Sequence, residues 1–324
     1  MGYAAERDEL RGAVLDGQYR LGPALGIGGT SVVFEATRLA DEAPVVVKVL
    51  RETFAFNGEL IRRLRREGEV ARRVAHPGIV PVLDEGLLED GSPYLVLERL
   101  EGECCARLLR RRGSLPPSHV AAVALRAAAI LHAGHVHGYV HRDVKPEHVV
   151  LARLADGRLD VRVLDYGVCA SAHASEEERE AERGRVYGTP AYVSPEQASG
   201  RPDVDARADV FSLGIFMFEA LTGRAPFLGS NVASLLKRII REDAPRVGLL
   251  MPELDLRFDS VVARAMARRA EDRFPSARAL GRALLPLVAD RRAVEREIAA
   301  GLKERGPRPD LVATVPNAAP RAVA

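Results

Sequence analysis

The chain has 324 residues, with 47 Lys+Arg against 45 Asp+Glu and a formal net charge of +2. Hydrophobic residues make up 47% and charged residues 28%, enough to bury a core and too balanced in sign for a general nucleic-acid binder. That length suits two domains or one two-lobed domain.

In chain order, residues 1–18 read as a short polar extension. Residues 19–100 read as strands broken by glycine turns, with Val-, Phe- and Tyr-rich runs at 31–36, 44–50 and 94–98. One helix interrupts them at 58–74, where Leu60, Leu64, Ala71 and Val74 recur at helical spacing. Over 101–290 the pattern turns helical, with segments predicted at 116–134, 206–222, 232–241, 257–267 and 276–288. A helical extension and then a disordered Pro/Ala-rich tail are expected over 291–324. The class is therefore α+β, a small antiparallel-sheet lobe with one helix followed by a larger helical lobe.

Several classes fall away. The apolar stretch at 120–131 is twelve residues long and contains Arg126, short of the ~18–20 that a membrane helix needs. Residues 1–16 lack the apolar core of a signal peptide. Cys104, Cys105 and Cys169 fit neither a disulfide framework nor a zinc spacing, so a reducing cytoplasm is expected. The run Arg110–Arg112 reads as a solvated helix face. Only four lysines (Lys48, Lys145, Lys237, Lys303) and three asparagines (Asn57, Asn231, Asn317) occur, a codon-usage bias that makes each survivor worth weighing.

Candidate chemistry begins at Leu25-Gly26-Ile27-Gly28-Gly29-Thr30-Ser31-Val32-Val33, where glycines between two strands let backbone N–H groups approach a polyphosphate. Lys48 ends the β-branched run 45–47 and points either to solvent or into a cleft. Glu67 falls on the apolar face of the 58–74 helix, where a carboxylate needs a cation such as Lys48, unless it sits solvated at the edge of the stripe. Glu69 points away.

The remaining blocks are His76-Pro77-Gly78-Ile79-Val80, His141-Arg142-Asp143-Val144-Lys145-Pro146-Glu147-His148, Leu164-Asp165-Tyr166-Gly167, Gly188-Thr189-Pro190 through Glu196, and Asp209-Val210-Phe211-Ser212-Leu213-Gly214. With the glycine loop and Lys48, they resemble the eukaryotic-like (Hanks-type) Ser/Thr protein kinase family in its bacterial branch, from about residue 19 to 285. The resemblance implies a two-lobed kinase fold and an ATP site under Leu25, Gly26, Gly28, Gly29 and Val33. In it Lys48 meets the α/β-phosphates, Glu67 orients Lys48, and Glu98 to Leu100 form the adenine hinge beside Leu97. It further implies that Asp143 accepts or orients the substrate hydroxyl proton, Lys145 neutralises the transferring phosphoryl group, and Asp165 holds Mg²⁺, or Mn²⁺ in its place. Thr189 would mark the substrate loop, Glu196 would pair with Arg273, and Asp209 would anchor the catalytic loop. The implied partner is a protein bearing Ser or Thr. Neither that substrate nor the oligomeric state is legible.

The sequence also departs from the family. His148 stands where the family has a metal-ligating asparagine, and imidazole suits softer metals than Mg²⁺. A neutral His148 is expected to donate a hydrogen bond to the loop backbone instead, with metal ligation there in question. Val46 replaces a small alanine over the adenine ring, and Ser31 replaces a loop glycine. Before Gly188 the activation segment lacks the threonines of bacterial relatives and carries Glu176, Glu177, Glu178, Glu180 and Glu182. Two readings stand there: a solvated, mobile loop, or acids that substitute for phosphate by pairing with Arg142. Ser171 and Ser175 are further phosphosite candidates. The leading function is a Ser/Thr protein kinase. The alternatives are a nucleotide- or partner-binding pseudokinase marked by His148, and a small-molecule phosphotransferase, which would lack the 188–196 block.

Overall fold

A computed structural model describes residues 7–154, 156 and 158–288. The segment 291–324 and the first six residues of the N-terminal extension lie outside the described residues.

Six strands build the first lobe: β1 (Val14–Leu15), β2 (Tyr19–Ile27), β3 (Ser31–Arg38), β4 (Ala43–Leu50), β5 (Val82–Leu87) and β6 (Pro93–Glu98). They pair antiparallel in the order β1-β2-β3-β4-β6-β5. Thus the extension itself contributes an edge strand. Because successive side chains alternate faces, Val32 and Phe34 of β3 and Val45, Val47 and Val49 of β4 enter one buried cluster with Tyr94 and Val96. Val46 and Lys48 then face the other way. Register sets Lys48 opposite Val33 on β3 and Leu95 on β6.

Helix α1 (Gly58–Val74) keeps the bounds read from its periodicity. Asn57 caps it, its side chain accepting from the backbone N–H groups of Glu59 and Leu60. Leu64, Gly68, Val70 and Val74 are its buried residues.

The second lobe is less purely helical than the sequence pattern predicts. Strands β7 (Glu101–Cys104), β9 (Val149–Arg153) and β10 (Leu159–Val163) form a three-stranded sheet, and β8 (Tyr139–Val140) pairs with β11 (Ala170–Ser171). These strands have two to five residues, too few for period-2 alternation to stand out from flanking helical patterns. Helices α2 (Cys105–Arg112) and α3 (Pro117–Val136) precede β8; α4 (Glu176–Glu182) and α5 (Pro195–Ala198) follow β11. The lobe is completed by α6 (Arg207–Thr222), α7 (Val232–Arg241), α8 (Leu256–Ala265) and α9 (Ala277–Leu284). Helix α9 stops short of the predicted 288 because Pro286 cannot supply an N–H, and a 3₁₀ turn follows.

At 20 residues, α3 exceeds the apolar stretch read from sequence and is long and apolar enough to cross a membrane by length and composition. Its placement is that of a core helix. Val120, Ala121, Ala124, Ala127, Ala128 and Leu131 are buried in the main hydrophobic cluster of this lobe, together with Leu213, Phe216 and Leu280 from α6 and α9.

Candidate active site

Between the lobes lies a cleft of about 510 Å³. Gly28, Gly29, Val33, Val46, Lys48, Leu97 and Glu98 line it from the first lobe, Leu100 from the connection, and Asp143, Lys145, His148 and Asp165 from the second. Leu25 and Gly26 are set apart from this group: both belong to β2, Gly26 paired with Val33, and neither lines the cleft. The β2–β3 turn itself is closed by the Gly28 N–H donating to the Ser31 carbonyl at 2.7 Å. Residues that carried no site role in the sequence also line it, among them Ile79, Val80, Leu164 and Pro190. Their signal was membership of the quoted blocks; adjacency depends on folding, which bridges Ile79 to Val163.

Lys48 is the hub of the upper half. Its Nζ lies 2.6 Å from Glu67 Oε2 and 3.4 Å from Asp165 Oδ1, so β4, α1 and the loop after β10 meet at one ammonium. Burial alone would lower the Lys48 pKa, but Asp165 and Glu67 outweigh it and raise it above the usual value. Burial acts on the Asp165 carboxyl in the opposite sense, and the Lys48 ammonium foremost holds it below the usual range. Its side chain keeps 39% exposure, open to the cleft. Glu69 turns to the opposite side, where it accepts from the Tyr139 hydroxyl at 2.9 Å.

Beneath, Asp143 is buried and doubly held. Lys145 Nζ donates to Asp143 Oδ2 at 2.7 Å and to Thr189 Oγ1 at 2.6 Å, while the Thr189 N–H donates to Asp143 Oδ1 at 2.7 Å. Thr189 can take this place because Gly188 precedes it. Gly188 has φ +104°, and a Cβ there would stand 2.5 Å from the Arg142 carbonyl oxygen.

The loop is braced from below. Asp209, fully buried, accepts from the N–H groups of His141 and Arg142 at 2.8 Å each and lies 2.7 Å from His135 Nε2. Burial works to raise its pKa; the His135 contact first among the others carries it below the usual carboxylate value. Arg142 and Asp165 sit at φ +66° and +63°, left-handed conformations that non-glycine residues adopt only under tertiary constraint. Farther down, Glu196 and Arg273 form a bidentate pair at 2.7 and 2.8 Å, with the arginine wholly buried.

His148 does what a neutral imidazole can do in place of an amide. Burial pushes its pKa down to about 4, against the pull of the Asp143 carboxylate, so the ring is neutral at pH 7. Nδ1 lies 2.8 Å from the Asp143 carbonyl oxygen, which can only accept, so Nδ1 carries the proton. Nε2 therefore presents its lone pair, 3.6 Å from Asp165 Oδ2. An anionic oxygen and a ring nitrogen that converge without a proton between them suit a divalent cation. Among the described residues no cluster of three or more His, Cys, Asp or Glu side chains could hold a metal by itself.

These positions make a recognisable arrangement: a cleft lysine paired to a helical glutamate, an aspartate beside it, and a loop aspartate bound to a lysine and a threonine. The protein kinase domain pattern matches residues 19–289. The chain belongs to the protein kinase family. Among relatives of this kinase, serine/threonine-protein kinase PknL of Mycobacterium tuberculosis is 35% identical over 297 residues, covering 91% of this chain and 70% of that protein. Serine/threonine-protein kinase PknB of Mycobacterium leprae is 34% identical over 266 residues, 81% of this chain and 42% of that protein. The crystal structure of the M. tuberculosis PknI kinase domain superposes on this kinase with a TM-score of 0.66 at 28% identity, covering 86% of this chain and 98% of that one.

Proposed function

We propose that this kinase transfers the γ-phosphoryl group of ATP to a serine or threonine hydroxyl of a protein substrate. The observation that carries the reading is the double contact of Lys48 with Glu67 at 2.6 Å and Asp165 at 3.4 Å, which aligns both lobes around the phosphate position. Phosphoryl transfer asks little covalent chemistry of a protein; positioning and charge neutralisation supply the rate.

The geometry supports a role for each residue. Val33, Val46, Leu97 and Leu100 give the apolar walls for adenine, with the added methyls of Val46 narrowing that end. The ammonium of Lys48, kept charged by its two carboxylates, faces the α/β-phosphates. Asp143 receives or orients the proton of the acceptor hydroxyl, and Lys145, anchored by Thr189, sets positive charge beside the transferring group. Asp165 and His148 would hold a divalent cation, Mg²⁺ or Mn²⁺, which when bound neutralises charge on the phosphates. Because His148 keeps its bond to the loop backbone, the exchange of asparagine for histidine leaves Asp143 held in place, which supports activity over a purely regulatory pseudokinase. Thr189 bound into the site supports a peptide rather than a small-molecule acceptor. The three buried free thiols, Cys104, Cys105 and Cys169, support our placement of the protein in the cytoplasm.

The test is phosphate incorporation from labelled ATP into this protein or a Ser/Thr-containing acceptor, with Mg²⁺ or Mn²⁺ supplied. Incorporation that vanishes in Asp143→Ala bears the reading out. ATP binding with no incorporation under either metal would instead make the chain a pseudokinase.

A further inference from the structure

We propose that His148 Nε2 is a direct metal ligand, so that with Asp165 it forms a nitrogen–oxygen site that takes Mn²⁺ in preference to Mg²⁺. The inference rests on the kinase reading above and names the metal chemistry of that same cleft.

The catalytic loop offers two imidazoles, and their hydrogen bonds separate them. His141 is fully engaged: Nε2 donates to the Leu164 carbonyl at 2.9 Å, and Nδ1 accepts from the Asp143 N–H at 3.2 Å. His148 uses Nδ1 alone, against the Asp143 carbonyl at 2.8 Å. This is the arrangement in which a second hydrogen bond fixes the tautomer and aims the free nitrogen at a metal. That nitrogen faces Asp165 Oδ2 at 3.6 Å, a gap that two metal–ligand bonds of about 2.1 Å each can bridge. Asp165 Oδ1 is engaged on its other side by Lys48 at 3.4 Å, which leaves Oδ2 to turn toward the histidine. With both His148 and Asp165 lining the cleft, oxygen ligands from the nucleotide phosphates and water complete the shell.

The ligand set decides the metal. Mg²⁺ demands oxygen donors and gives up its hydration reluctantly, whereas first-row transition cations accept imidazole readily. Mn²⁺ takes carboxylate, phosphate and imidazole together. An asparagine at 148 would offer an amide oxygen, a donor that both cations accept; the histidine tilts the site toward Mn²⁺.

The test is pulsed electron paramagnetic resonance of Mn²⁺ bound with ADP, together with displacement of Mn²⁺ by Mg²⁺ and an independent measure of ADP binding. Wild type is expected to show a nitrogen hyperfine coupling that changes isotope when the protein is labelled with [¹⁵N]histidine. His148→Asn and His148→Gln should lose that coupling while binding ADP and keeping the wild-type unfolding temperature. The Mn²⁺-over-Mg²⁺ preference should fall about tenfold or more in both variants. ADP and Mn²⁺ bound without a histidine coupling in wild type, or a coupling that persists in His148→Asn, overturns the inference and leaves the kinase reading standing. No ADP binding with either metal overturns both.

Discussion

Arg142 Nη1 lies 2.7 Å from Glu182 Oε2, and the arginine side chain is only 6% exposed. This contact joins the residue before Asp143 to helix α4 of the activation segment. Helix α4 is itself ordered locally: Ser175 and Glu178 form a reciprocal capping box, and Glu178 reaches back to Arg66 of α1 at 3.1 Å. Tyr187 adds a ring within 5.0 Å of Arg63 and 5.7 Å of Arg142. Of the acids in this segment, Glu182 pairs with Arg142, whereas Glu176, Glu177 and Glu180 stay exposed as in the solvated reading. A buried guanidinium needs a counter-charge, and here Glu182 supplies it.

Removing that counter-charge should lower activity. Glu182→Gln and Arg142→Gln are each expected to reduce basal phosphotransfer, and the double variant to lose no more than the worse single, a coupling of about 1–2 kcal/mol. Initial rates of the four proteins after phosphatase treatment check this. A Glu182→Gln rate equal to wild type would return α4 to the status of a solvated segment.

Asp143→Asn keeps the volume of the side chain and removes its basicity. Turnover should fall by about 10²–10⁴-fold, the range for loss of a positioned proton acceptor, with ATP affinity little changed. Kinetics separating KM for ATP from kcat decide it. A parallel loss of ATP binding would show that Asp143 acts chiefly through the site's architecture.

Glu196 and Arg273, paired away from the cleft, act on stability rather than chemistry. Arg273 also donates to the carbonyls of Ala267 and Arg268 after α8 and of Arg207 at the start of α6, so its charge is buried among backbone acceptors from two segments. Glu196→Gln leaves that charge unpaired and should cost about 3–5 kcal/mol of unfolding free energy, measured by denaturant titration.

Gly188→Ala is expected to be a positional variant. The new Cβ would meet the Arg142 carbonyl and force a non-glycine residue to φ +104°, costing about 1–3 kcal/mol and displacing Thr189 from Asp143 and Lys145. Loss of kcat with retained ATP binding would fit; wild-type turnover would not.

Acid should weaken the catalytic-loop brace. The Asp209 carboxyl lies below its unfolded value of about 3.9, so its contribution is complete above that pH and is lost as pH falls through the folded value. Wild-type unfolding temperature should therefore drop more steeply than that of Asp209→Asn as pH falls below about 4. At pH 7 the variant should be less stable by about 3 kcal/mol, since one of two backbone N–H groups loses its acceptor. Parallel pH profiles would count against this role.

The sequence alone determined much of this protein. Periodicity placed α1 at residues 58–74, and scarcity made Lys48 and Lys145 conspicuous in a chain with four lysines. The order of its blocks carried the family and its reaction, because glycine turns, charged residues and helix spacing are local chemistry that survives in one dimension. Four matters were decided only by tertiary structure. Whether Lys48 met solvent or the cleft depended on which face of β4 packed the Phe34–Val47 core, a choice set by β3 and β6. Leu25 and Gly26 shared the glycine motif yet stayed in β2, since only the turn beyond them bends over the cleft. Glu182 found Arg142 across 40 residues of chain, and His148 turned one nitrogen to the loop and the other to Asp165. Those partners are fixed by burial and by which donors remain free, quantities that exist only once the chain has closed on itself.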